Sequence, residues 1–546
     1  MPWKGRESCQ ALYKPSSTVL SRIPGRRVGP MAVAKLTSFL LLAAPATASY
    51  AFYVGKSLTA DGSVMVGGTG EEVSSHWLQL FPARDHGPNE TIQVGVTDSA
   101  TIPGKLIHIP QVPHTLRYLS MEYSDYEGFP APLTNGGLNE KGVAVRDVFA
   151  DNREDLVKMT PTPQTGVQYS DLARIVMERA HSAREGVKII GDLIHKFNYA
   201  TYGGNSHLIA DKDEGWIVWE FAGGKHLWAA QRLNDSEVRV LYPGYIEDFP
   251  VDFENSDDFM GSPNLVSFAV DQGWWSPDSG EPFNIFNIYG PQRKDATARD
   301  GGYKYMSQGA LENATMAMVP VTEKDLMERV RDPRIADDHA GYGQVVSLHQ
   351  KQEDPDLLRI WIAPTGSVAA PFVPWHLGVE SIPPEFGEHR YLTAGSSSTF
   401  LNPDYELQEA SEFAGRLFKR VLYYMCSAPR TLHPIVTDML KGFEAESQAE
   451  VSGWVEKAAA ALLQQGQRDL SRKLLTYYSH SRAAKALELG NTMTAALDGY
   501  IKLSGSWHNP TGSQINGGDD DITVTCLVGI NPDKPAGDQG LSSPTS

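Results

Sequence analysis

The sequence predicts an α+β protein with a helical C-terminal region. Three observations carry this. Between Ser49 and about Pro384, short apolar runs alternate with turn signals; only two helical patterns interrupt them; and beyond Asn402-Pro403 apolar residues recur at helical spacing to about residue 502. The 546 residues are 41% hydrophobic and 21% charged, which allows a large core and excludes wholesale disorder.

The first 48 residues read as a leader. Lys4, Arg6, Lys14, Arg22, Arg26, Arg27 and Lys35 stand against one acid, Glu7, so this segment carries +6 of a total of −18 and leaves −24 on the rest. From Met31 a lysine, an apolar run (Leu36 to Ala44) and Ala46-Thr47-Ala48 give the three parts of a secretory signal. That run is too short for a bilayer, which needs about 20 residues. No later stretch is apolar enough either, so no stable membrane insertion is expected after cleavage. The sequons at Asn89, Asn234 and Asn313 fit a secreted glycoprotein. Extracellular fluid and a vacuole-like compartment both suit such a signal.

Residues 49–395 form the predicted core. YAFYV (50–54) and VMV (64–66) flank an Asp61-Gly62 turn and form a hairpin. A second hairpin turns at Asn139-Glu140-Lys141-Gly142. Residues 168–183 and 185–198 read as helices, the second with Val187, Ile190, Ile194 and Phe197 on one face. Strands resume at 206–210, 216–221 and 226–233. Residues 242–310, rich in Gly, Pro, Asp and aromatics, read as long loops. LRIWIA (358–363) and FVPW (372–375) return to strand character. In the helical region, residues 396–505, Asn402 caps and Pro403 starts a helix that continues through Leu407, Ala410, Ala414, Leu417, Val421 and Tyr424. A Gly/Pro/Ser-rich tail, residues 506–546, holds one strand candidate at 522–528.

Several chemistries are absent. The acidic charge argues against a nucleic-acid surface. There is no Gly-x-Ser-x-Gly elbow, no His-Glu-x-x-His and no Cys-x-x-Cys. Gly67-Gly68-Thr69-Gly70 lacks the lysine of a phosphate loop and reads as a tight turn. Asp337-Asp338-His339 and Asp519-Asp520-Asp521 read as solvated charge runs, so neither metal nor cofactor is expected. With Cys9 in the leader, Cys426 and Cys526 either pair or stay as thiols, and two buried thiols is the expectation.

Cleavage after Ala48 would make Ser49 the N-terminus; cleavage after Ala46 would instead leave Thr47 first. A terminal serine sets its hydroxyl beside a free α-amine of pKa ~7.7–8.0, a usable base near neutrality. Nucleophile and base then come from one residue.

The residues that follow are Val54-Gly55-Lys56, Asp61-Gly62-Ser63, Leu138 to Ala144, Asn205, Ala210-Asp211-Lys212, Trp216 to Glu220, Trp228-Ala229-Ala230 and Phe372 to Trp375. In spacing they resemble the cysteine dipeptidase family of bacterial dipeptidase A and the secernins, over nearly all of residues 49–500. The resemblance implies an N-terminal nucleophile hydrolase with a four-layer αββα sandwich, acting on dipeptides as a metal-independent peptide-bond hydrolase. Ser49 stands where that family carries its nucleophilic cysteine. Gly68 stands at its usual arginine and Glu71 at its aspartate. Serine is the weaker nucleophile because far less of it ionises.

These positions set the expected site. Ser49 is the nucleophile. Asn205 is an oxyanion donor or a turn residue. Glu71 orients the α-amine of Ser49, binds a substrate ammonium, or is a surface carboxylate. Arg146 and Arg232 are candidates for the substrate carboxylate, and Asn139 shapes its hairpin. The partner is a small peptide. Two alternatives stay open: an N-acyl amide hydrolase resembling penicillin V or bile-salt acylases, and an inactive secreted glycoprotein that keeps the fold for binding.

Overall fold

Strands that are apolar on both faces need a cover on each side, and this chain builds four layers to provide it. The computed structural model describes residues 49–71 (71 by its backbone), 76–292, 307–333, 335–336, 340–349, 354–388, 412–504, and the backbone of 515–516 and 523–524. One sheet has six strands in the order β14 (Val238–Leu241), β1 (Tyr50–Val54), β2 (Val64–Glu71), β16 (Ala340–Leu348), β17 (Arg359–Ala363) and β18 (Val373–His376). The other has eight: β15 (Phe259–Gly261), β13 (Trp228–Leu233), β12 (Gly215–Glu220), β11 (Asn205–Ala210), β10 (Ala144–Phe149), β9 (Leu133–Asn139), β8 (Tyr118–Tyr123) and β3 (His76–Phe81). Two small ribbons pair β4 (Arg84–Asp85) with β7 (His114–Thr115) and β5 (Thr91–Val94) with β6 (Ile107–Pro110).

The inner faces share one core, in which Tyr53, Leu119, Ala144, Val148, Leu208, Ile217 and Trp219 are almost fully buried. After the short α1 (Glu154–Lys158), two longer helices follow, α2 (Tyr169–Arg179) and α3 (Ala183–Phe197). The outer face of the eight-stranded sheet builds a second core with them, including Val145, Ile209, Trp216, Val218, Val187, Ile190 and Ile194. Burying each such aliphatic side chain contributes about 1.5–3 kcal/mol. α2 starts in a capping box of Gln168 and Asp171, and α3 at Ser182, whose hydroxyl accepts from Glu185 N. The first predicted helix therefore ends at Arg179, earlier than residue 183. The Asn139 hairpin forms as read: its side-chain carbonyl accepts from Lys141 N and Val143 N at 3.0 Å, while its amide donates to the Met177 and Ala180 carbonyls.

Helices α6 (Gln308–Met316) and α7 (Glu323–Val330) cover the outer face of the six-stranded sheet. The C-terminal helices are α8 (Ala414–Met425), α9 (Pro429–Glu450), a π-helical turn at Val451–Val455, α10 (Glu456–Gln464) and the long α11 (Arg468–Ser504). They pack against β18 and one another. Glu444 ties α9 to the core by accepting from both terminal nitrogens of Arg331 and, at 2.8 Å, from Phe372 N. The described residues from Ser49 onward belong to one compact unit.

Three expectations need correction, at residues 242–310, at Gly67–Gly70 and at Cys426. The 242–310 segment contains β15, α4 (Leu265–Asp271) and α5 (Ile285–Tyr289), not loops alone. The Gly67–Gly70 cluster is a stretch of β2 rather than a turn. The strand expected at 522–528 is present in its described part, Thr523–Val524, paired with Ile515–Asn516, and its other residues lie outside the described ones. Cys426 is disulfide-bonded, which overturns the reading of free thiols. Asn402, Pro403, Leu407 and Ala410 lie outside the described residues, as do the leader and both aspartate runs. No helix among the described residues is long and apolar enough to cross a membrane.

Candidate active site

Ser49 immediately precedes β1 and is 7% exposed. β1 is the second strand of its sheet, paired to β2 with Tyr50 opposite Thr69 and to β14 with Ala51 opposite Leu241. Continuing the ladder by one step sets Ser49 across from Gly70. On β1, Tyr53 is directed at the second sheet, where an added Cβ on Gly215 would meet its ring. Strand alternation carries that direction back through Ala51 to Ser49. Tyr50 N–H donates to Thr69 Oγ1 at 3.4 Å, and its ring stacks on Tyr242 at 3.8 Å.

The glycines of β2 make this closeness possible. A Cβ on Gly68 would stand 2.1 Å from the Tyr50 carbonyl oxygen; one on Gly70 would stand 2.4 Å from the Tyr342 ring and 2.7 Å from Asn135 Oδ1. Position 68 therefore has no room for the arginine the sequence resemblance places there. An arginine reaches the same strand from the opposite sheet instead. Arg146, on β10 and fully buried, donates to the Thr69 carbonyl, to the Tyr342 hydroxyl and, at 3.4 Å, to Gln344 Oε1. Its two terminal nitrogens are thus held by protein oxygens, while its buried Nε has no hydrogen-bond partner among the described residues.

The next residue, Asp147, turns to the other face of β10. Register brings it opposite His207 on β11, and Asn205 opposite Glu220 on β12. His207 Nε2 contacts the Tyr169 carbonyl at 3.0 Å, and Nδ1 lies 2.8 Å from Glu220 Oε1, both side chains being fully buried. The carbonyl requires a proton on Nε2, so a further proton lies between Nδ1 and Glu220. Burial resists charging His207, but Glu220 and Asp147 hold it above the usual imidazole value. Burial likewise raises Glu220 and Asp147, against the pull of His207 on both and of Arg146 on Asp147. The neighbouring amides of Asn135 and Asn205 also pull Asp147 down. Asn135 Oδ1 lies 3.3 Å from His76 Nε2 and beside Gly70, so this amide joins the outer cluster to the end of β2.

The structure thus brings Arg146 to the strand facing Ser49. It places Asn205 with Asp147 on the face toward α2, with Tyr202 donating to its Oδ1 at 3.4 Å. Glu71 ends β2 opposite Ala340, and its side chain lies outside the description. Arg232 is separate: it pairs with Asp258, at 2.6 Å from Nε, and stands near Tyr53, toward the opposite end of β1 from Ser49. Sequence reasoning missed Thr69, Asn135, Asp147, His207, Glu220 and Tyr342. Among the described residues no group of three His, Cys, Asp or Glu is arranged to hold a metal.

Residues 48–320, half of the chain, match the sequence pattern of peptidase family C69. The chain belongs to peptidase family C69. It is 27% identical over 265 residues to a probable dipeptidase B of Streptococcus pyogenes, which is 48% of this chain and 50% of that protein. It is also 27% identical over 258 residues to dipeptidase A of Lactobacillus helveticus, covering 46% and 50% of the two chains. This C69 chain therefore matches about half the length of these curated relatives. Among solved structures, a mutant conjugated bile acid hydrolase from Clostridium perfringens aligns with 60% of this chain and 92% of its own, at 11% identity and a TM-score of 0.31.

Proposed function

We propose that this C69 chain is a secreted dipeptidase that acts through Ser49 once signal cleavage has made it the N-terminus. One observation carries the reading: the family match begins at residue 48, and the next residue stands at the buried start of β1, facing the second sheet. The dipeptidases among its relatives supply the substrate class.

In this mechanism Ser49 Oγ attacks the carbonyl carbon of the peptide bond while its α-amine takes the hydroxyl proton. The tetrahedral oxyanion collapses, the C–N bond breaks, and the α-ammonium returns the proton to the departing amine. Water, deprotonated by the same amine, then cleaves the ester and frees Ser49. A donor to the oxyanion would lower the barrier by roughly 3–4 kcal/mol. Asn205 remains the proposed donor, although its place beside Asp147 requires it to turn. Glu71 keeps its proposed part in orienting the α-amine or holding a substrate ammonium.

A disulfide at Cys426 suits an oxidising compartment, in keeping with the secretory route, extracellular or vacuole-like. Asn89 and Asn234 sit in exposed segments beside turns, where a glycan fits; Thr315, of the third sequon, is buried with its hydroxyl on the Leu311 carbonyl. N-terminal sequencing of secreted protein tests the reading, with a start at Ser49 expected. One residue added before Ser49 should abolish turnover, because a secondary amide is no base. Full turnover by that extended protein would place the nucleophile elsewhere.

A further inference from the structure

We propose that Thr69, clamped by Arg146, is the positioning residue that aims Ser49. The inference rests on Ser49 being the nucleophile.

Thr69 divides its two oxygens between the two sheets. Its hydroxyl accepts from Tyr50 N–H, which belongs to the peptide unit joining Ser49 to Tyr50. Its carbonyl accepts from Arg146, which crosses from β10. Arg146 is in turn fixed by the Tyr342 hydroxyl and Gln344, on the strand that pairs with β2 on its other side. Rotating the 49–50 peptide plane would swing the hydroxyl and the α-amine of Ser49 together. Thr69 opposes that rotation from one side, and its β-branched, 1% exposed side chain has little rotamer freedom of its own. No residue of the clamp need touch substrate. Its effect is on the geometry of attack, where an error near 1 Å costs about 100-fold.

The test compares Thr69→Val, Thr69→Ser and Ser49→Ala in the cleaved protein, using the best-hydrolysed member of a panel of unblocked dipeptides. Valine keeps the shape of threonine and removes the acceptor. Thr69→Val should lower kcat about 30- to 100-fold with KM within about two-fold, and Thr69→Ser should recover most of that loss. Wild-type kcat in Thr69→Val, with Ser49→Ala inactive, overturns the positioning role and leaves the nucleophile standing. An active Ser49→Ala overturns the nucleophile and this inference with it, as does a wild type that cleaves no dipeptide. If Thr69→Val does not fold, Tyr342→Phe decides: it removes one acceptor from Arg146 and should lower kcat about five-fold at unchanged KM, whereas an unchanged kcat overturns the clamp.

Discussion

Arg146 and Asp147 are chain neighbours, both buried, on opposite faces of one strand, and their surroundings differ in kind. The arginine is solvated by neutral oxygens from the other sheet: a carbonyl, a hydroxyl and an amide. The aspartate sits among groups of its own sheet, with amides of Asn135 and Asn205 and the His207–Glu220 pair, and its Oδ1 has no hydrogen-bond partner. A cation held by fixed dipoles binds two layers together. A cluster of acids sharing protons with a histidine is open to gaining or losing one. The inner face therefore sets geometry, and the outer face sets how stability responds to protonation.

The largest effect that would break this contrast is at the inner face. Ser49→Ala should reduce dipeptide hydrolysis on the order of 10⁴-fold without changing the melting temperature by more than a few degrees. Steady-state kinetics and a thermal melt check both halves, and a stable but fully active variant would remove any catalytic meaning from that face. At the outer face the expected loss is of stability. Glu220→Leu leaves His207 Nδ1 without its partner and should cost about 3–5 kcal/mol in urea unfolding. A loss under about 1 kcal/mol would mean that the pair contributes little.

Glu122 sharpens the protonation half. It is buried on β8, and its carboxylate lies 2.5 Å from the Ser120 hydroxyl. Burial pushes its carboxyl from an ordinary 4.5 up to about 7, with the Ser120 and Thr134 hydroxyls and Arg174 pulling back. Between those values the folded state keeps a proton that the unfolded chain releases, so stability falls as pH rises through the window. Glu122→Gln should match wild type near pH 4 and melt higher by an amount that grows to a plateau above about pH 7. A pH-independent difference would show that another group sets the slope. The smallest effect is at Arg232, whose partly exposed pair with Asp258 should be worth less than about 1 kcal/mol. If Arg232→Ala instead raises KM strongly, its predicted part in carboxylate binding is restored.

The fold was legible wherever local patterns are long. β11 and β12 show as apolar runs between turn residues, and α3 by the spacing of Val187, Ile190 and Ile194. α4 and α5 are seven and five residues long, too short for a 3.6-residue period to show. The glycines of β2 mimic a turn because glycine marks turns and close strand approaches alike. Ser49 stands out in the sequence because the expected cleavage point and the family spacing select the same residue, and what the structure adds is its burial just before β1. The outer cluster was not, since its acids and its histidine, Asp147, His207 and Glu220, come one from each of three strands and only the ladder register aligns them. A signal was present in hindsight: Arg146-Asp147, His207 and Glu220 each interrupt a strand that is otherwise largely apolar.

The bareness of β2 also governs how the sequence can drift. At most sites on a strand, a newcomer is judged by its chemistry, and several pass. At Gly68 and Gly70 the first atom of any side chain already collides with its neighbours. Hydrophobic, polar and charged replacements are all refused on the same ground. In a saturation library these two codons should return glycine alone, while Thr69 between them accepts serine.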